Sequence, residues 1–220
     1  MKKHNYVGLF ISFEGLDGAG SSTQASKLVE RLNNFGFYSY LTKEPTNNLI
    51  GGLIRAALTK SWQASPECMQ LLYAADRAHH LKREIIPALE KGNIIVSDRY
   101  YLSSIAFGSL NSEKKWLIDI NEQFILPDVT FFIDVSAENC IKRIHENRNE
   151  FELFEEKNKL VKVQKTYKNL AKSSSDIISI NGERSIEIIG QEIFLQTKKL
   201  LKKRSATLKR RVNSLFAADI

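Results

Sequence analysis

Apolar residues along the chain fall into two alternating rhythms. Tyr6–Glu14 is a nearly continuous apolar, β-branched and aromatic run, the pattern of a strand buried on both faces. Ser21–Phe35 follows with Ala25, Leu28, Val29 and Leu32 at helical spacing and Gly36 as a stop. Phe37–Thr42 reads as a second strand and Leu49–Leu58 as a helix. Ser65-Pro66-Glu67 opens another helix, with Pro66 at its first position, running toward Leu81; Pro87 bends or restarts it before Gly92. Asn93–Ser97 is a third strand, and Tyr101–Phe107 and Glu113–Phe124 are helical. Val129–Val135 is a fourth strand, leading into a helix near Ser136 with Glu138 in its first turn. Asp176–Ile180 is a fifth strand and Ile186–Lys203 a closing helix. Alternating strands and helices of this kind predict an α/β fold, a five-stranded parallel sheet with helices on both faces. Neither repeat nor linker interrupts it.

In such folds the ligand lies beyond the carboxyl ends of the strands. That rule gathers the loop after the first strand, Lys43-Glu44-Pro45 after the second and Asp98-Arg99-Tyr100 after the third. Each segment carries charge where a strand stops.

Composition changes this picture little. The 220 residues suit one α/β domain. No apolar run approaches the ~20 residues of a membrane span. The basic start, Met1-Lys2-Lys3-His4-Asn5, lacks a leader's apolar stretch and cleavage site, and reads as a solvated entry to the first strand. Cys68 and Cys140 are far apart without metal-type spacing, which predicts two free buried thiols in a reducing cytoplasm. The net charge is +7, yet Lys198, Lys199, Lys202, Lys203, Arg204, Lys209, Arg210 and Arg211 alone carry +8, leaving −1 for the other residues. The basicity is thus a property of the C-terminal segment.

The candidate chemistry begins after the first strand. Gly15-Leu16-Asp17-Gly18-Ala19-Gly20-Ser21-Ser22-Thr23 has the spacing of a phosphate-binding loop, with Ser21 where lysine is expected. Glycines 15, 18 and 20 let backbone N–H groups turn inward around an anion. The next helix adds the positive end of its dipole. Ser22 or Thr23 offers a hydroxyl to magnesium. Serine at 21 brings neither the charge nor the reach that a lysine applies to the β- and γ-phosphates.

Three further segments name a family: Leu71-Leu72-Tyr73-Ala74-Ala75-Asp76-Arg77, Ile94-Ile95-Val96-Ser97-Asp98-Arg99-Tyr100-Tyr101-Leu102-Ser103-Ser104, and Leu126-Pro127-Asp128-Val129-Thr130-Phe131-Phe132-Ile133-Asp134-Val135. With the Phe-Glu-Gly-Leu-Asp-Gly loop, the chain resembles the thymidylate kinases over roughly residues 7–195. The resemblance implies a P-loop kinase-type three-layer sandwich over 1–196, with a lid near 145–157 and a basic tail over 197–220. It implies transfer of the γ-phosphoryl group of ATP to dTMP, with magnesium, in a cytoplasmic homodimer.

It also assigns roles. ATP would contact the loop from Gly15 to Thr23 together with Arg143 and Arg148. Magnesium would be held by Ser22 and Asp98. Arg99 would bridge donor and acceptor phosphates, and Asp17 would lie near the acceptor sugar. On the dTMP side stand Glu44, Arg55 near the phosphate, Tyr73 stacked on the base, Arg77 bonded to it, Ser103 and Ser104 beside it, and Phe107 at the sugar 2′ position. Arg99, Asp98, Asp17 and Arg148 form the catalytic set. Plainer readings stand beside these: Tyr73 and Phe107 as core aromatics, Arg55 as a solvated helix residue, Asp98-Arg99 as an ion pair. The adjacent His79 and His80 face different directions and read as structural.

Two departures bear on the chemistry. The lid is rich in glutamates (Glu150, Glu152, Glu155, Glu156), which leaves Arg148, with Arg99, to supply the charge that Ser21 lacks. Gly108 stands where the family often has glutamine, which loosens the expectation of strict thymine selection. A kinase for another nucleotide or nucleoside acceptor, or a nucleotide-binding regulator, remains the alternative. The tail alternates basic residues with Leu200, Leu201, Leu208, Val212 and Leu215. It reads as a solvated helix end in preference to a nucleic-acid or acidic-membrane contact.

Overall fold

A computed structural model describes residues 1–147, 157–204 and 208. Five parallel strands, β1 (Leu9–Gly15), β2 (Ser39–Lys43), β3 (Ile94–Asp98), β4 (Val129–Asp134) and β5 (Ile177–Asn181), form one sheet in the order β2-β3-β1-β4-β5. Every residue of β1 is buried, which is why its sequence is a near-continuous apolar run, broken by Ser12 and Glu14, instead of an alternating one. α1 (Ser21–Asn34) packs on β1, β2 and β3 and against α9 (Ile186–Arg204), which also meets β5. A second group covers the sheet: α5 (Tyr101–Gly108) on β1, α6 (Lys114–Asn121) beside α5, and α8 (Lys157–Lys172) on β4 and β5. α2 (Leu49–Leu58) and α3 (Pro66–His80) pair beyond β2, and α7 (Ala137–Asn147) follows β4.

Pro87 restarts the helix as its chemistry requires. Proline has no N–H to reach back four residues, and the chain widens into a π-helical segment, Leu81–Ile85, before α4 (Ile86–Glu90). α8 is a helix that the strand-and-helix reading above left out. Its signal is present in Leu160, Val163, Tyr167 and Leu170, spaced for one face, with the first three buried.

Three expectations from the sequence are refined. The N-terminus is solvated at Lys2, Lys3 and Asn5, as expected, but it is also anchored to the body of the fold. Leu126 N donates to Lys2 O at 2.9 Å, and His4 is buried with Nε2 3.1 Å from Asp128 Oδ2. Cys68 is half-buried whereas Cys140 is buried; both thiols are free. Burial pushes the Cys140 thiol up to about 12. α9 passes through position 197 without a break. Thr197 and Leu201 are fully buried, and Arg204 binds Asp128 Oδ1 at 2.7 Å and the Gly8 carbonyl at 2.6 Å. Leu208 also joins the core, and the rest of the tail lies outside the described residues.

Candidate active site

The carboxyl ends of β1 and β3 meet side by side. β1 runs into the glycine loop, where Gly18 and Gly20 take φ of 82° and 91°. Gly18 has a second constraint, because a Cβ there would lie 2.6 Å from the Cys140 carbonyl oxygen. The loop delivers the chain to α1, whose first turn receives no side-chain cap. Its N–H groups and dipole therefore face the loop's concavity, as anion binding requires.

β3 ends in Asp98. Ser21 Oγ donates to Asp98 Oδ1 at 3.2 Å and Ser22 Oγ to Oδ2 at 2.5 Å. Arg99 follows with φ of 71°, a left-handed conformation that costs a non-glycine residue on the order of 1 kcal/mol. Arg99 N donates to Phe13 O at 2.8 Å and Ser97 Oγ donates to Arg99 O at 2.7 Å, which hold it there. The turn swings the guanidinium back over the glycine loop. Nη1 donates to Gly15 O (3.0 Å) and Ser103 Oγ (3.1 Å), and Nη2 pairs with Asp17 at 2.5 Å. Burial opposes its charge, but Asp17, Tyr167, Asp98 and Glu14 outweigh that, and Arg99 is held above its ordinary pKa.

Two cavities open on either side of this pair. One is lined by the loop from Leu16 to Gln24, with Arg143, Arg184 and the turn after β5. The other is lined by Glu44, Gln70, Tyr73, Arg77, Ser103, Ser104 and Phe107, among others. Asp17 and Arg99 line both.

Beneath the second cavity lie two buried networks. Glu44 Oε2 accepts from Arg77 Nε (2.9 Å) and Nη2 (2.7 Å), and Glu44 Oε1 meets His80 Nδ1 at 3.1 Å. Arg77 also donates to Ser104 Oγ at 3.0 Å and to Asn121 Oδ1. Four carboxylate, amide and hydroxyl contacts thus offset the burial of its charge. In the second network Glu14, wholly buried, accepts from Tyr100 N (2.9 Å), Ser103 Oγ (2.5 Å) and Tyr167 Oη (3.0 Å). Burial lifts its carboxyl to about 7, against the lowering effect of those bonds and of Arg99. Burial likewise raises the Tyr167 phenol well above its ordinary value.

Residues 13–193 match the family model described as thymidylate kinase. The chain belongs to the thymidylate kinase family. It is 36% identical over 198 residues to a protein named "Probable thymidylate kinase" from Thermococcus gammatolerans, covering 85% of this chain and 94% of the relative. A namesake from Thermococcus kodakarensis is 36% identical over 204 residues, covering 88% and 98%. A "Thymidylate kinase" from Brachyspira hyodysenteriae is 38% identical over 162 residues, covering 73% and 79%.

The structure of this thymidylate kinase family member brings most of the sequence candidates to these two cavities. Gly15 closes β1 beneath the loop; Leu16 to Thr23 and Arg143 line the first cavity. Asp17, Glu44, Tyr73, Arg77, Arg99, Ser103, Ser104 and Phe107 line the second. Arg55 does not line it; its Nη1 donates to the carbonyls of Thr46 and Pro45, and Pro45 is itself a lining residue. Arg148 lies outside the described residues. Arg143 donates to Gly182 O at 3.1 Å, which aims it from α7 toward the loop.

Sequence reasoning missed Arg184, Gln70 and the supporting pair Glu14 and Tyr167. Arg184 sits in the Gly182-Glu183-Arg184-Ser185 turn that closes the first cavity. A charged turn after the fifth strand was its available signal. Gln70 lies three and seven residues before Tyr73 and Arg77, on the same helix face. Glu14 is an acid inside an apolar strand, and that mismatch was its signal.

Proposed function

We propose that the protein transfers the γ-phosphoryl group of ATP to dTMP, giving dTDP and ADP. The observation that carries the reading is the shared Asp17–Arg99 wall between a phosphate-loop cavity and a second, aromatic-lined cavity. A phosphotransferase needs its donor and acceptor in separate sites that meet at one charged point. Arg99 stands at that point with a fixed guanidinium, suited to neutralising charge on the group in transit. Asp17 fixes its orientation and faces the acceptor sugar.

In this reading the glycine loop and the start of α1 cradle the ATP phosphates, with Arg143 and Arg148 adding positive charge. The hydroxyl of Ser22 and the carboxylate of Asp98 fit a hard divalent cation, since both present oxygens at one spot. Magnesium bound there supplies further charge neutralisation to the phosphates. Tyr73 and Phe107 offer aromatic faces to base and sugar. Arg77, Glu44, Ser103 and Ser104 fix the acceptor side, and Arg55 braces the chain at Thr46 near the acceptor phosphate. The reading carries with it a cytoplasmic homodimer. Leu49, Leu53 and Leu71, exposed on α2 and α3, support a subunit contact on that side.

The test is coupled ADP release with ATP, magnesium and, in turn, dTMP, dUMP and thymidine. Turnover is expected on dTMP and at most weakly on the others. Equal turnover on dUMP or thymidine would overturn the acceptor, and binding without turnover would overturn catalysis.

A further inference from the structure

The Arg99 guanidinium is held by Gly15, Ser103 and Asp17, and the Ser103 anchor depends on a side chain that lines neither cavity. Nη1 gives one hydrogen to the Gly15 carbonyl (3.0 Å) and one to Ser103 Oγ (3.1 Å), and Nη2 pairs with Asp17. With both Nη1 hydrogens taken, the group meets a phosphate only through Nε and Nη2. The Gly15 carbonyl is part of β1 and cannot turn away, whereas Ser103 Oγ moves with a single torsion. What fixes that torsion fixes the edge that Arg99 presents.

Ser103 Oγ donates to Glu14 Oε2 at 2.5 Å, so its proton is committed and its lone pairs are left for Arg99. Tyr167 of α8 completes the group. Its Oη lies 3.0 Å from the same Glu14 oxygen and 2.9 Å from Ser103 Oγ, which closes a triangle of oxygens. Tyr167 is 1% exposed and lines neither cavity. Packing accounts for its ring, which stacks on Phe132 at 5.1 Å and meets Phe107 edge-on at 6.2 Å. A phenylalanine ring packs in the same way and buries no polar atom, so the core alone does not call for the hydroxyl. The hydroxyl's partners are the two side chains that stand behind Arg99.

We propose that Tyr167 is a positioning residue for phosphoryl transfer, its hydroxyl keeping Ser103 in the rotamer that anchors Arg99. The phenol occupies the space beside Ser103 Oγ and shares its acceptor, Glu14. Without it Glu14 loses a donor, Ser103 gains room to turn, and Nη1 loses a fixed acceptor. The effect falls on transfer and not on capture of either nucleotide, because both cavities keep every lining side chain. This rests on Arg99 acting where a donor and an acceptor nucleotide meet.

The test is a double-mutant cycle on the full-length protein: the parent, Tyr167→Phe, Ser103→Ala and the two together. Transfer is read as the single-turnover rate from ATP to dTMP, by rapid quench at saturating nucleotide and magnesium. Binding is read by calorimetry for dTMP and for a dinucleotide joining adenosine and thymidine through five phosphates, a probe long enough to enter both cavities. Tyr167→Phe is expected to slow transfer roughly tenfold and to weaken the dinucleotide by a similar factor, with dTMP bound within about twofold of the parent. In the Ser103→Ala background the same substitution should change transfer and dinucleotide binding by less than about twofold, since the anchor it acts through is gone. A Tyr167→Phe protein that transfers at the parent's rate refutes the proposal. So does a full loss repeated with Ser103 already removed, or a loss confined to dTMP binding. A parent that binds the dinucleotide but transfers nothing refutes the kinase reading, and the cycle in dinucleotide affinity then decides Tyr167. A parent that binds neither probe refutes both.

Discussion

Replacing Glu14 by glutamine tests the charge balance beneath the active site. The parent carboxyl is buried among Tyr100 N, Ser103 and Tyr167, and burial raises it from an ordinary 4.5 to about 7. The folded protein therefore holds this proton more tightly than the unfolded chain does. Between those two values the native state carries more protons, so stability falls as pH rises through the window. At roughly 1.4 kcal/mol per pH unit, the loss amounts to about 3 kcal/mol from about pH 4.5 to about pH 8. Glutamine is the shape of the protonated acid. It can accept from Tyr100 N while its amide donates to the oxygens of Ser103 and Tyr167, and it does not ionise. Urea unfolding of parent and Glu14→Gln, followed by fluorescence at about pH 5 and about pH 8, isolates the term, since other titrations cancel in the difference. The parent should lose roughly 2–3 kcal/mol relative to the variant between those two pH values. A stability difference that is flat with pH would refute the assignment of Glu14 as a proton-holding buried acid.

Leu201→Ala should cost about 2–4 kcal/mol by chemical denaturation, because the side chain is fully buried in the core. Arg204→Ala should cost about 1–2 kcal/mol, since it removes bonds to both Asp128 and the Gly8 carbonyl. Arg148→Ala should lower kcat about a hundredfold with little change in the KM for ATP, and adding Ser21→Lys should recover much of the loss. A variant at Arg148 that turns over like the parent would show that its charge is not what stands in for lysine.

Much of the fold was legible because strands buried on both faces are written as near-continuous apolar runs, and β1, β3 and β4 are. The acceptor cavity was legible where residue type and position coincide with charge at a strand end, as at Glu44 and Arg99. α8 was harder to see. Its apolar residues share the helix with six lysines, so composition masked the period. The N-terminus misled for a related reason. His4 is buried by a partner, Asp128, that lies far along the chain, and local pattern says nothing of it. The same limit hid Gln70. A glutamine on a helix is ordinary until the glycine packed against it, 38 positions along the chain, is known.

Ser21 is where sequence and structure bear on each other most directly. Its hydroxyl is turned onto Asp98, so it takes part in holding the carboxylate that ends β3. A lysine there would carry charge toward the phosphates, whereas serine leaves the donor cavity to arginines arriving from other elements. Arg99 reaches it from β3, Arg143 from α7 and Arg184 from the turn after β5. Arg184 is paired with Glu192, and Arg99 with Asp17. Positive charge in this cavity is therefore distributed over side chains whose positions depend on tertiary packing, instead of being fixed by the loop itself. A loop lysine is set by five residues of local geometry; these arginines are set by the whole sheet edge. The consequence is that binding and turnover should be separable here. In the proposed reaction the glycine loop would hold phosphate by itself, while transfer would require the remote cations to be in place at the same moment.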